Sequence, residues 1–327
     1  MFPDRNSKQQ CPLERDDETL FFSLVNYRNI LLTSNDPKKI LEFYNGFDNR
    51  DQLIRWMKER PKGSTYIHEV EGDKDIVVVI PTANFNGIYA VNCRENIFKG
   101  LHIIFVENGG KDDFYFNYAH SCNVGIKKAM DYNPKWVVVS NDDMIKIDGP
   151  DVLKNCLGKI DPNEINTVFT KESPNHYHSV PAYFGRPNFM GKLYLEASRK
   201  FRTTGGLFYS YIYTGNKLIE KYQIDTILIP KRRISKFFFS KIKPIYMTMS
   251  FGIFSRNYLS KNDLFNESFI NGAEDWDLSF RLFYKDKDYE FIDYLIGEKV
   301  GETIGKGDLR AMRDVANIAL FNYITQS

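Results

Sequence analysis

Asp75-Ile-Val-Val-Val-Ile-Pro81, Leu101-His-Ile-Ile-Phe-Val-Glu-Asn-Gly-Gly110 and Trp136-Val-Val-Val-Ser-Asn-Asp-Asp143 are apolar runs that end in polar or turn-forming residues. Their length and β-branched content specify strands. Apolar residues follow one another instead of alternating with polar ones, the pattern of a strand covered on both faces. With helical stretches between them, the runs specify an α/β fold built on a mostly parallel sheet with flanking helices. Ligands of open α/β sheets bind at the carboxyl ends of the strands, where these polar residues stand.

Upstream, residues 1–16 are polar, and Leu20 to Leu32, Lys38 to Tyr44 and Asp51 to Glu59 carry helical apolar spacing, closed by Pro61 and Gly63. Residues 1–72 are therefore expected to form a helical leader. Residues 73–150 hold the three strands. Residues 151–300 are expected to complete the same fold as an acceptor-side half, irregular at first, with Pro-, Asn- and Tyr-rich loops and TTGGLFYSYIYTG at 203–215. Residues 301–327 form a C-terminal helix whose Leu309, Met312, Val315, Ala316, Ala319, Leu320 and Tyr323 make one apolar stripe behind an Asp308 cap. There is no internal repeat.

Hydrophobic residues make up 43% of the 327 and charged residues 26%, which is enough apolar surface for a core and argues against global disorder. The 44 basic and 42 acidic residues nearly cancel, so no overall field points to nucleic acid. Cys11, Cys93, Cys122 and Cys156 are far apart with no C-x-x-C pair, arguing against a zinc knuckle or a disulfide framework. The first residues lack an apolar signal core, and no run of about 18 apolar residues occurs. A cytoplasmic protein is expected.

Three places carry chemistry. Ile80-Pro81-Thr82 opens into ANFNG, and Glu107 is followed by Asn108-Gly109-Gly110, so an acid and a tight turn face the crevice. Asn141-Asp142-Asp143 puts carboxylates where a hard, oxygen-seeking Mg²⁺ or Mn²⁺ bridges two phosphates. Gly272-Ala-Glu-Asp-Trp-Asp277 opens a helix with three acids around an aromatic. Acids favour helix N-termini in any case, and Asp277 with Arg281 makes an ordinary i,i+4 pair. Trp276 offers either a sugar-stacking face or a core anchor.

In order, IPTANF, VENGG, the N-x-G-x-x-x-A of NVGIKKA, SNDD, FGIFSRNYL and EDWDLSFR resemble the inverting family 2 glycosyltransferases of the GT-A fold over about residues 75–285. The resemblance implies a Rossmann-like GT-A core that transfers a sugar from a nucleotide-diphosphate donor to the hydroxyl of a glycan, lipid-linked or protein acceptor. It places Pro81, Thr82, Asn84, Glu107, Asn123 and Asp142 at the donor. It makes Asp143 the metal-binding acid for Mn²⁺ or Mg²⁺, and Asp275 the acid that activates the acceptor hydroxyl. Glu274 stands beside it as substitute or acceptor ligand, and Trp276 and Asp277 fall on the acceptor side. The chain departs from the pattern at Glu107 and Asn141, where relatives have aspartate and a leading acid. It also departs in IGEKVGETIGKGD (296–308), which lacks the histidine that completes the metal site in many relatives. His176 and His178 are alternative ligands from a loop.

KRRISKFFFSKIKP, within 231–246, interleaves six cations with large apolar residues and contains no acid. That composition suits peripheral contact with an anionic membrane or a phosphate-bearing acceptor, or a strand with wet lysines. The rivals to an inverting transferase are a retaining GT-A enzyme, a nucleotidyltransferase and a catalytically silent sugar-nucleotide or glycan-binding module. A nucleotidyltransferase would want a Gly/Arg/Lys-rich loop after the first strand, and ANFNGIYA is not one.

Overall fold

The computed structural model describes residues 36–109, 116–170, 179–193, 216–225, 227–230, 236–248, 250–261, 264–285, 288–299 and 307–326, with Leu31 and Ser34. Two short helices come first, α1 (Pro37–Asn45) and α2 (Arg50–Glu59). Asp36 caps α1 by accepting the Lys38 N–H at 2.9 Å, and Asn49 caps α2 by accepting that of Gln52 at 3.0 Å. The expected helix over Leu20 to Leu32 lies, apart from Leu31, outside the described residues, as do His176, His178 and the 203–215 stretch.

Seven strands form the main sheet. In chain order the first half supplies β1 (Tyr66–Val70), β2 (Asp73–Thr82), α3 (Ile88–Asn92) running into a π-helical turn at Cys93–Ile97, β3 (Leu101–Glu107), α4 (Tyr118–Met130), β4 (Trp136–Ser140), the short β5 (Met144–Lys146) and α5 (Pro150–Leu157). The second half adds β6 (Thr167–Thr170), β7 (Ser179–Pro187), α6 (Asn216–Tyr222), β8 (Ile227–Pro230), β9 (Phe239–Thr248) and β10 (Phe251–Ser255). It continues with α7 (Arg256–Leu259), α8 (Glu274–Lys285), β11 (Tyr289–Ile292), β12 (Ile296–Glu298) and α9 (Gly307–Gln326). The strand order is β1-β3-β2-β4-β10-β6-β11. Parallel pairing of β3, β2 and β4, antiparallel pairing of β10 to both β4 and β6, and parallel pairing of β6 with β11 leave five strands running one way. Only β1 and β10 oppose them.

Two boundaries differ from the sequence reading. β1 already pairs with β3, so the sheet begins inside the stretch expected to be a helical leader. β6, β10 and β11 of 151–300 join the same sheet as β2–β4, so the two halves share one framework. The last helix starts at Gly307, which puts Asp308 in its first turn and not ahead of it.

β2 shows why its apolar run is continuous. Ile76, Val78 and Ile80 pack on one face with α3, α5 and Tyr294, while Val77 and Val79 pack on the other with α4 and α8. A third core, made by α1, α2, α6, Trp276 of α8 and α9, includes Val315, Ala316, Ala319 and Leu320 of the apolar stripe. Tyr44 locks it: its hydroxyl donates to the Met312 carbonyl at 2.6 Å and accepts the Ala316 N–H at 3.2 Å. A smaller antiparallel sheet, β8-β7-β9, is hydrogen-bonded separately from the main one, adds Tyr183 and Phe239 to the third core, and includes in β9 the last part of the basic run, with Lys241 and Lys243.

Gly125 sets how closely α4 lies on the sheet. A Cβ there would stand 2.3 Å from a Val79 methyl and 2.9 Å from a Val106 methyl, and valine has little rotamer freedom with which to yield. Gly125→Ala is therefore expected to destabilise the fold by about 1–3 kcal/mol, read as a lower urea midpoint. An unchanged midpoint would mean that α4 is free to lift.

Candidate functional site

Because β2, β3 and β4 are parallel, their polar ends emerge on one edge. β2 stays paired with β3 as far as Thr82 opposite Glu107, yet its pairing with β4 stops at Val79 opposite Val139. β2 and β4 thus part where the chain, having placed β3 on one side of β2, crosses to the other. Crevices of open α/β sheets form at such a switch point. Pro81, buried and without an N–H, lies past the last β2–β4 pair, where no ladder bond is required of it.

Thr82 spans the crevice, donating from Oγ1 to Asp142 Oδ2 at 2.7 Å. Asn84 turns the following loop: its Oδ1 accepts the Asn86 N–H at 2.9 Å and its carbonyl accepts that of Gly87 at 2.9 Å. Burial raises the Asp142 carboxyl, while the Thr82 hydroxyl and a backbone N–H pull it back. Asp143 is pushed further, to about 7, first by burial and then by the charges of Glu298 and Asp142.

Glu298 is a residue that the sequence reading passed over. β12 pairs with β5 so that Glu298 falls opposite Met144, next to Asp143 in the chain, and the Lys299 N–H donates to the Asp143 carbonyl at 2.8 Å. Its Oε2 accepts from the Ser250 hydroxyl at 3.0 Å and its Oε1 from Asn141 Nδ2 at 3.2 Å. It lies in the stretch that lacks a histidine, and its signal in the sequence is an acid directly after the apolar Ile296-Gly297 pair. Among the described residues no group of three or more His, Cys, Asp or Glu side chains is arranged to hold a metal ion. Asp143, whose proton affinity is raised, with the Glu298 carboxylate beside it still fits a Mg²⁺-type ion, which keeps waters and substrate phosphates as its other ligands.

Glu107 is engaged at the outer end of the crevice. Its Oε1 accepts the Phe85 N–H at 3.3 Å, and its Oε2 lies 2.7 Å from His68 Nε2. The His68 ring stacks on Phe85 at 4.3 Å and 5°, and the Arg94 guanidinium lies 4.7 Å from the centre of the Phe85 ring.

The helix with the acidic start is joined to this edge through Tyr118. The Tyr118 hydroxyl donates to Asn141 Oδ1 at 2.7 Å, and burial together with Cys122 and the charges of Glu274 and Asp275 raises its pKa. Before α8 the backbone passes through positive φ at Asn271 (47°) and Ala273 (65°). Side chains rarely accept this conformation, and such residues gather at functional sites. Glu274 is buried, its Oε2 finds no hydrogen-bond partner among the described residues, and burial raises its carboxyl against backbone N–H groups that lower it. Asp275 is half-buried, and its Oδ1 accepts the Trp276 N–H at 3.0 Å.

Three sequence candidates stand elsewhere. Trp276 is a core anchor, 7% exposed and edge-on to Phe321 at 6.1 Å, so it presents no stacking face. Asp277 is 2% exposed and holds Arg281, whose Nε donates to Oδ2 at 3.0 Å. Asn123 staples a loop, donating to the Phe265 carbonyl at 2.9 Å and to Glu267 Oε1 at 2.9 Å while accepting the Phe265 N–H at 3.1 Å. Trp276 and Asp277 thus serve packing and an ion pair, and Asn123 anchors a loop.

No protein-family profile, curated protein or solved structure matches the chain.

Proposed function

We propose that the protein is a GT-A-type glycosyltransferase that moves a sugar from a nucleotide-diphosphate donor to an acceptor hydroxyl with inversion. One observation carries the reading. At the open carboxyl edge of the sheet, the Thr82–Asp142 bridge, the Asp143–Glu298 acids and the start of α8 meet through Asn141 and Tyr118.

Pro81, Thr82, Asn84 and Glu107 line the donor side, and Glu107 is held for that task by His68 and the Phe85 N–H. Asp143 and Glu298 would hold the divalent ion, which supplies positive charge for the departing diphosphate. Asp275 takes the proton of the acceptor hydroxyl. The hydroxyl oxygen forms its bond to the anomeric carbon as the bond to the diphosphate oxygen breaks, and that electron pair leaves with the diphosphate. Glu274, buried behind Asp275, positions the start of α8.

The test is a thermal-shift panel of nucleoside diphosphates and nucleotide-diphospho-sugars, each with and without Mn²⁺. A ligand at about 100 times its dissociation constant adds roughly 2.7 kcal/mol, so at least one member is expected to raise Tm. If none does, the transferase reading fails.

A further inference from the structure

At the outer end of the crevice, β1 offers a flat ring with one face open. His68 rests on Phe85, with ring centres 4.3 Å apart and planes 5° from parallel, and its Nε2 lies 2.7 Å from Glu107 Oε2. One face and one edge of the imidazole are thereby taken, and the 35% of the side chain that stays exposed lies away from both. The ring beneath is held in place. The Phe85 N–H donates to Glu107 Oε1 at 3.3 Å, the Phe85 carbonyl accepts from Arg94 Nη1 at 2.7 Å, and the Phe85 ring meets Phe105 edge-on at 5.3 Å.

Strand register extends this surface. Tyr66 stands opposite Glu107 and His68 opposite Phe105, so Tyr66 and His68 share one face of the sheet, about 7 Å apart along β1. Tyr66 is 66% exposed, whereas Phe98 and Phe105, which serve the core on this face, are fully buried. Two aromatic side chains thus meet water beside a carboxylate, at the edge where ligands of such sheets bind. A ring that is fixed from behind and open in front suits stacking with a planar π system, and every nucleobase has such a face.

We infer that His68 is the nucleobase-stacking residue of the donor site, with the base lying on the open face of its ring and Tyr66 beside it. The inference rests on the transferase reading and adds to that reading a strand, β1, that lies ahead of the motifs in the sequence. Distance across the sheet agrees. In the order β1-β3-β2-β4, β1 is three strands from β4, about 14 Å from the strand that leads into Asp142 and Asp143. An extended nucleoside diphosphate spans that interval, with its base at β1 and its phosphates at the acids.

The test is calorimetric titration of the full chain with UDP, CDP, dTDP, ADP and GDP in the presence of Mn²⁺, with inorganic pyrophosphate as the ligand that has no base. For the nucleotide that the parent binds tightest, His68→Ala should raise Kd about 10-fold or more and leave the pyrophosphate Kd unchanged. His68→Phe keeps a flat ring on Phe85 but gives up the contact with Glu107, and it should recover most of the loss. In the unaltered protein the His68 Cε1 proton should move upfield as that nucleotide is added and stay in place with pyrophosphate, a readout that needs no variant to fold. Equal nucleotide affinity in parent and His68→Ala would overturn the inference and leave the transferase reading standing. So would an equal loss of pyrophosphate, or a His68→Phe as weak as His68→Ala, since the histidine would then act only through Glu107. A parent that binds none of the five nucleotides removes both the inference and the reading beneath it.

Discussion

Asp275→Asn is expected to keep donor affinity within a few-fold of the parent while transfer falls by about 10² or more. The substitution preserves shape and leaves an amide oxygen to accept the Trp276 N–H, so the start of α8 stays closed. What it removes is the charge that accepts a proton. Glu274→Gln should have a milder effect on the chemical step, because Glu274 is buried and acts only through the position of α8. Donor binding and single-turnover transfer on both variants separate the roles, with the anomeric configuration of the product read by NMR. Normal turnover in Asp275→Asn with a dead Glu274→Gln moves the base by one residue. A product that keeps the donor configuration removes the single-displacement mechanism.

Asp143→Asn should act on function and stability in opposite directions. Asp143 is crowded by burial and by Glu298 and Asp142, which hold its proton up to about 7 in the folded chain against an ordinary 3.8. Between those values the folded protein retains a proton that the unfolded chain has released. Its stability therefore falls as pH rises through this window and is level above it. Asparagine carries no such penalty. The Tm of Asp143→Asn relative to the parent should therefore climb from about pH 4 to about pH 7 and then flatten. In the same variant, donor affinity with Mn²⁺ should drop at least about 10-fold. A Tm difference that does not vary with pH would show that the acid cluster imposes no charge strain. Equal donor affinity would remove Asp143 from the site.

Much of this geometry was legible where burial is two-sided. Val77, Val78 and Val79 alternate between two different cores, so every residue of the run is apolar and its polar end marks the edge of the sheet. Pairing was less legible. β10 is as apolar as its parallel neighbours, and only register shows that it runs against β4 and β6. Side-chain roles were the hardest to read, because a polar residue that holds a loop looks like one that holds a ligand. Asn123 and Asp277 have the residue types of a site but bind Phe265, Glu267 and Arg281. Trp276 and Phe280, four apart on α8, both meet Phe321, so helical period decides the matter against the neighbouring acids. Glu298 was missed for a topological reason: it is 155 residues from Asp143 in the chain and reaches it only through a two-stranded pairing.

The Tyr44 lock has a kinetic meaning. Its hydroxyl meets a carbonyl 268 residues further along, so the contact closes one of the longest loops available to the chain. Entropy disfavours such closure until shorter-range structure has drawn the ends together, and β2, β3 and β4 are separated by far less sequence. The sheet is therefore expected to assemble first and the helical shell to seal afterwards. Since α8 forms a wall of both cores, the corner that carries Asp275 acquires its final shape only at that late step, and a loosened shell would silence the corner while the sheet beneath it remained intact.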